Sequence, residues 1–436
     1  MIATRCLFSL VLLAGLVSAS LEAAPALPFP AHSSYAAGTI LPNHRSRSQL
    51  DAEVVAAFSG WKSRYLATAG SEPDGHPRYR VKFAAAASAK TVSEGQGYGM
   101  LLAVLMAGNE PQAQQIFDGL WEFCLDHPSS IDGRLMDWSV PADESLDPSG
   151  NDSAFDGDAD IAMALLMADR QWGSSGGRFH YRNEALRVLA GLEASTLGPL
   201  SHYPLLGDWV DPNGQGYNQW VTRSSDFMPG HFRAFYQATG HAAWAAALAA
   251  VQNVTSTLQA GFSPTTGLLP DFVQPVSNVD TAPRPADADF LEGPHDGHFW
   301  YNAGRDPWRL TSDALISGDA TAKTQAKRML AFIRGATAGN PLQIRVGYLL
   351  NGTAIDNGFS SFFAAPLMAS ATLDPAAQSF LNGGWDAVAS RVEGYYEDSV
   401  TLLCLLLASG NVWDPVQLFA DGFEGGDTAR WSQVSP

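Results

Sequence analysis

The sequence predicts an all-α fold, a closed ring of helix hairpins, and three observations carry that expectation. Helical hydrophobic periodicity returns about every 25 to 35 residues, each time bounded by turn residues. Strand-like alternation is scarce, with "HPRYRVKF" at 76–83 its main instance. Three helical segments, "YGMLLAVLMAG", "DIAMALLMA" and "SVTLLCLLLASG", lack a polar face, whereas "DATAKTQAKRMLAFIRG" has one. A helix that is apolar all round must be surrounded by others. An even dozen helices without a heptad repeat then fits six inner helices backed by six outer ones.

Along the chain, the N-terminus carries Arg5, an apolar run from Leu7 to Ala19 and small residues at Ala23 and Ala24. This reads as a secretory signal peptide over residues 1–24; the run is too short for a membrane span and no second one follows. A secreted or periplasmic bacterial protein with no membrane attachment in its mature form is expected. Residues 25–47, rich in Ala, Pro and Ser, read as an extended leader. Helices are expected near 49–66, 94–107, 110–126, 157–172, 181–195, 225–239, 241–259, 304–317, 320–336, 359–371, 375–388 and 395–409, within a barrel spanning 48–412. The stretch Gly261–Tyr301 is the main irregular insertion, and loops of that length tend to carry function. Residues 413–436, with Gly and Asp clusters, form a C-terminal tail without assigned chemistry.

The net charge of −18 and pI near 4.8 argue against nucleic acid, whose phosphates call for Lys and Arg. A neutral or cationic partner fits better. Twelve Trp in a soluble chain offer stacking platforms, although core packing takes most of them. Cys6 leaves with the signal; Cys124 and Cys404 sit in apolar helical patterns and read as buried thiols, with one disulfide left open. No His or Cys spacing suggests a metal site, and no P-loop, dinucleotide fingerprint or G-x-S-x-G elbow is present. No cofactor and no metal are expected, which leaves the carboxylates.

Polar residues at the entrances of the inner helices are the suspects. In "TVSEGQGYGMLLAVLMAGN" (91–109), Glu94 opens a helix whose body must be buried. One reading is electrostatic: an acid in the first turn suits the helix dipole, and Ser93 caps that turn. The other is a catalytic acid on a rigid helix end, which needs a partner carboxylate. In "SAFDGDADIAMALLMADRQWG", Asp156, Asp158 and Asp160 precede an apolar helix at spacing two. A calcium loop would need a glycine turn and a later Glu, both missing. N-capping explains one of the three; the others repel unless a cation, an arginine or a substrate hydroxyl shares the site.

These two blocks, with "YNAGRDPWRLTSDALISGD" at 301–319 and "YYEDSVTLLCLLLASGN" at 395–411 in the same order, resemble glycoside hydrolase family 8 over about residues 50–412. The resemblance implies an (α/α)6 barrel that hydrolyses β-linked polysaccharide with inversion. It implies Glu94 as general acid and Asp156 as the aspartate that contacts the sugar at the cleavage point. Phe155 departs from the family's small residue there. Inversion also needs a base. One branch of the family takes it from the Asp of Y-D-A-x-R, where this chain has Tyr301-Asn302-Ala303-Gly304-Arg305, and an amide cannot accept a proton near neutral pH.

A second branch, with chitosanases, lichenases and cellulases, carries Asn there and takes its base from a Glu in the upstream insertion. "ADADFLEGPHDGHFWYNAGR" and "TRSSDFMPGHFRAFYQATG" resemble that branch and point to Glu292, with Asp287, Asp289 and Asp296 as local competitors. Trp138, Tyr301, Asn302, Arg305 and Tyr396 fall in matching blocks as substrate-binding residues, with core packing the alternative for the aromatics. Arg223 and Asp226 are equally a structural ion pair, and a lone His231 at a helix start is usually structural. The expected protein is a monomeric, endo-acting hydrolase of β-1,4-linked polysaccharide such as β-glucan, cellulose or lichenan. The alternatives are a chitosanase of the same family and a non-catalytic glycan-binding protein that has lost its base.

Overall fold

The computed structural model describes residues 24–416, so all but the last residue of the expected signal peptide and nearly all of the expected tail lie outside the described residues. Among the described residues the chain forms α1 (Arg47–Tyr65), α2 (Ser93–Leu105), α3 (Ala113–Asp126), α4 (Phe155–Trp172), α5 (Tyr181–Ser195) and α6 (Pro229–Thr239). It continues with α7 (Ala242–Gly261), α8 (Asp306–Ile316), α9 (Ala320–Ala336), α10 (Ser361–Ser370), α11 (Gln378–Val388) and α12 (Tyr395–Ala408). Each falls on an expected segment. The even helices are neighbours around a ring from α2 to α12, and each odd helix packs outside one of them: α3 on α2, α5 on α4, α7 on α6, α9 on α8, α11 on α10 and α1 on α12. This is the expected all-α (α/α)6 barrel.

Burial follows the pattern in the sequence. Every residue of α10 is buried, whereas α9 buries Ala322, Gln325, Ala326, Met329, Leu330 and Ile333, one stripe at helical spacing. The hairpin order turns all the inner helices the same way, so their N-termini share one mouth. Two glycines set how closely α2 and α4 approach. A Cβ at Gly97 would lie 2.8 Å from Asp160 Cβ, and one at Gly157 would lie 2.3 Å from Ser93 Oγ. Gly157→Ala is therefore expected to destabilise the fold by about 1–3 kcal/mol through overpacking, checked by denaturant unfolding; a stability equal to wild type would contradict this packing. Ser93 is not the expected cap: it is the first residue of α2, its N–H donates to Trp138 O at 3.1 Å, and no side chain caps the helix.

The strand expected at 76–83 forms as β2 (Pro77–Val81), antiparallel to β1 (Leu66–Ser71). A two-residue ladder, β3 (Thr91–Val92) with β4 (Ser139–Val140), ties the entrance of α2 to the loop bearing Trp138. Inside the insertion, β6 (Phe272–Pro275) pairs with β5 (Thr222–Arg223) and with β7 (Pro283–Pro285). This small sheet covers a satellite core of Leu205, Leu206, Val210, Val221, Phe272 and Ala286, separate from the barrel core, with Tyr217 and Phe290 against it. Cys124 and Cys404 are free and buried, which closes the disulfide option.

The expected boundaries of 48 and 412 are too narrow. The amides of Ala26, Phe29, Ser33, Ala36 and Ile40 donate to the carbonyls of Gln171, Ala107, Gly410, Leu315 and Thr372, at or just past the C-terminal ends of α4, α2, α12, α8 and α10. Such carbonyls have no partner within their own helix, so the extended N-terminal segment belts the floor of the barrel. Trp413 is buried in the main core, so the packed body also reaches past residue 412.

Candidate active site

Arg305, 1% exposed and immediately before α8, organises the mouth. Its Nη1 donates to Glu94 Oε2 at 2.8 Å and to Asp156 Oδ2 at 2.7 Å; its Nη2 donates to Ser225 Oγ at 2.7 Å and to Asn302 Oδ1 at 3.0 Å. Glu94 stands in the first turn of α2 and Asp156 in the first turn of α4, so the close approach of these helices brings both carboxyls to one nitrogen. One guanidinium cannot neutralise two carboxyls. Asp156 also faces Arg223, whose Nη1 lies 3.8 Å from its Oδ2. Burial pushes the Asp156 carboxyl up, but Arg305 and Arg223 outweigh it and hold it below the ordinary range. For Glu94 burial wins, helped by the charges of Asp156 and Asp160 against Arg305, and its carboxyl is pushed up to about 7. Tyr395 Oη donates to Glu94 Oε1 at 3.3 Å.

Glu292 enters from the insertion, with its side chain 50% exposed. Asn302 Nδ2 donates to its Oε2 at 2.8 Å, and Arg223 Nη2 reaches its Oε1 at 3.4 Å. A chain of three hydrogen bonds thus joins the two glutamates, from Glu94 through Arg305 and Asn302 to Glu292. The competitors are placed elsewhere. Asp296 is buried and accepts the N–H groups of Leu291, Glu292 and Gly293 at 2.7, 3.0 and 3.0 Å, which pins the loop beneath Glu292. Asp287 faces outward in a pair with Arg284 at 2.8 Å, and neither it nor Asp289 lines the cleft.

The remaining acids have other partners. Asp160 accepts two bonds from Arg309, at 2.8 and 2.6 Å, and pairs with His231 Nε2 at 2.8 Å, which makes His231 structural. Asp158 accepts Met136 N–H at 2.8 Å, and burial raises its carboxyl well above the ordinary value. The expected mutual repulsion is therefore relieved by Arg305 and Arg223 at Asp156 and by Arg309 at Asp160, while burial favours the protonated form of Asp158. None of the three is the N-cap of α4, a position held by Ala154, although Asp156 Oδ1 takes the Gly157 N–H at 2.9 Å. Asp226, fully buried 3.8 Å from Arg223, is pushed up to about 7 by burial. Phe155 turns away from the mouth into the core, against Phe232.

Glu94, Asp156, Arg223, Glu292, Asn302 and Arg305 line a cleft of about 290 Å³ together with Phe83, Trp138, Tyr301 and Tyr396. Tyr396 Oη is already committed to the Tyr301 backbone carbonyl at 2.8 Å, so Tyr396 offers the cleft mainly ring surface. Lys90 Nζ sits 4.6 Å from the centre of the Trp138 ring. On the rim beside the Glu292 loop, half-exposed Trp209 packs its ring edgewise on Tyr217, whose hydroxyl donates to Phe290 O at 3.0 Å. All eight expected site residues meet here. Sequence reasoning left Arg223 open between a site and a structural role, and it missed Ser225 in the same "TRSSDF" block and Tyr395 beside Tyr396; Phe83 and Asp271 carry no sequence signal. Among the described residues no group of three His, Cys, Asp or Glu could hold a metal ion.

Comparison with known proteins places this cleft in context. A beta-glucanase from Niallia circulans is 42% identical over 392 residues, which cover 90% of this chain and 92% of the relative. An endoglucanase from Bacillus sp. (strain KSM-330) is 37% identical over 397 residues, covering 89% of this chain and 82% of the relative. The solved apo structure of a beta-1,3-1,4-glucanase from Paenibacillus sp. X4 superposes with a TM-score of 0.84 at 42% identity, over 90% of this chain and all of that one. The sequence profile of "Glycosyl hydrolases family 8" matches residues 28–410, nearly the whole described body, and the chain belongs to that family.

Proposed function

We propose that this protein is an endo-acting glucanase that hydrolyses β-1,4-linked or mixed-linkage glucan with inversion. Glu94 protonates the leaving glycosidic oxygen, and Glu292 takes a proton from the attacking water. The observation that carries this reading is the contrast between two linked carboxyls. Glu94 is largely buried and retains its proton to about pH 7, whereas Glu292 is half-exposed with N–H donors facing both of its oxygens, so it enters as an acceptor. This difference in burial and partners assigns Glu94 as acid and Glu292 as base, and inversion requires both. The rings of Trp138, Tyr301 and Tyr396 supply flat faces for sugar C–H surfaces.

Asp156, held ionised by two arginines, acts on the sugar at the cleavage point. Asp156→Asn is expected to lower kcat by about 10²-fold or more with a smaller change in KM, because the contact strengthens in the transition state. The substitution also removes a charge that raises the Glu94 carboxyl, so the basic limb of the pH profile should move to lower pH. Lost thermal stability with unchanged kinetics would assign Asp156 to the helix end instead.

The chitosanase alternative is disfavoured because Glu94, Asp156 and Glu292 each already face a guanidinium, which leaves no free cleft carboxylate for an ammonium. The binding-protein alternative is disfavoured because a carboxyl occupies each proton-transfer position. Arg5 and the apolar run Leu7–Ala19 support a secreted or periplasmic protein, and no helix among the described residues is long and apolar enough to cross a membrane. The test is reducing-end release from barley β-glucan, carboxymethyl cellulose and soluble chitosan, with the first product read by proton NMR. Glucan cleavage yielding the α-anomer is expected; a β-anomer, or chitosan as the preferred substrate, overturns the reading.

A further inference from the structure

We propose that Asp271 is a positioning residue that sets the orientation of Glu292 through the side-chain amide of Asn302, an inference that rests on Glu292 being the base. Asp271 precedes β6, is 2% exposed and does not line the cleft. Its Oδ1 accepts the N–H groups of Trp300 at 2.9 Å and Ala303 at 2.7 Å; its Oδ2 accepts Asn302 N–H at 3.0 Å and Asn302 Nδ2 at 3.3 Å. Among the described residues no cation pairs with it within 4.0 Å; burial pushes its carboxyl up to about 7, and the N–H groups of Ala303, Asn302 and Trp300 oppose that rise.

The arrangement fixes Asn302 in two ways. Three backbone amides fasten the turn Trp300–Ala303, so the Asn302 side chain departs from one place. Its amide is then locked end for end. Nδ2 points at Asp271 and Glu292, and Oδ1 accepts from Arg305 Nη2 at 3.0 Å. A flipped amide would set its oxygen against two carboxylates and its NH2 against a guanidinium. Glu292 lies on an insertion with half its side chain in solvent, and the 2.8 Å bond from Asn302 is shorter than its 3.4 Å contact with Arg223. Asp271 therefore determines which donor the base meets and where. The site demands a carboxylate, since an amide at 271 would turn an NH2 toward groups that are themselves donors.

The test is a double-mutant cycle on β-glucan. Asp271→Asn is expected to lower kcat by about 10²-fold, the scale of a small misplacement of a reacting group, with KM changed by less than about threefold. In a Glu292→Gln background it should cost little more, because the group it positions is gone. An equal loss in both backgrounds marks a merely structural role and overturns the proposal. So does kcat within about threefold of wild type in Asp271→Asn. If Asp271→Asn does not fold, Asn302→Ala cuts the same link while leaving the three backbone bonds, and it must show the same loss and the same non-additivity. Normal turnover of Glu292→Gln removes the base reading and this proposal with it, whereas an inactive Glu292→Gln beside a normal Asp271→Asn overturns the positioning alone.

Discussion

Glu94→Gln is expected to lower turnover on β-glucan by about 10²–10⁴-fold, the usual worth of a positioned general acid, without loss of fold. Glutamine keeps the shape and still accepts from Arg305 Nη1, which sits 2.8 Å from Glu94 Oε2, but it has no proton to give a leaving alkoxide. The pH profile of the wild type offers an independent check. A carboxyl pushed up to about 7 by burial is protonated below that pH and loses its proton above it, so activity should fall as pH rises through about 7. In Glu94→Gln this basic limb should vanish from the residual activity. A substrate whose leaving group departs without protonation, such as a dinitrophenyl glycoside, should recover part of the loss. Near-normal turnover of Glu94→Gln on unactivated glucan would end the assignment.

The ring was legible because its physics is periodic. Helices such as α10 and α12 have to be apolar on nearly every face to sit between neighbouring helices and a core, and that composition shows without coordinates. Glu94 and Asp156 stood out because a carboxylate at the entrance of such a helix conflicts with its surroundings, but the pattern left a helix-end role open and only the family resemblance gave them catalytic roles. What the sequence could not show arises from long-range closure. Strands β5 to β7 are two to four residues long and rich in Pro, too short for alternation to register. Arg223 read as a partner of Asp226 three residues on, yet folding also brings it to Asp156 and Glu292. Asp271 was invisible because a lone acid in an irregular insertion has no pattern, and its meaning comes from amides 29 to 32 residues further along.

Glu292→Gln is expected to lower hydrolysis by about 10³–10⁴-fold, at the upper end for a positioned base. Inversion forms no covalent intermediate, so water attacks the anomeric carbon directly and must surrender a proton on the face opposite the acid. Glu292 is the carboxylate of the insertion that reaches the cleft. No neighbour can replace it: Asp296 is buried and committed to three backbone amides, Asp287 faces outward with Arg284, and Asn302 cannot accept a proton. Glutamine at 292 still accepts from Asn302 Nδ2, so ground-state binding should change little and the loss should fall on kcat. Formate added to Glu292→Ala should restore part of the turnover, because a small carboxylate fits between the same donors, Asn302 Nδ2 and Arg223 Nη2. The residual activity of Glu292→Gln should keep the basic limb near pH 7 that belongs to Glu94, which separates loss of the base from damage to the acid. Wild-type turnover in Glu292→Gln, or formate rescue that yields the β-anomer, would remove Glu292 from the mechanism.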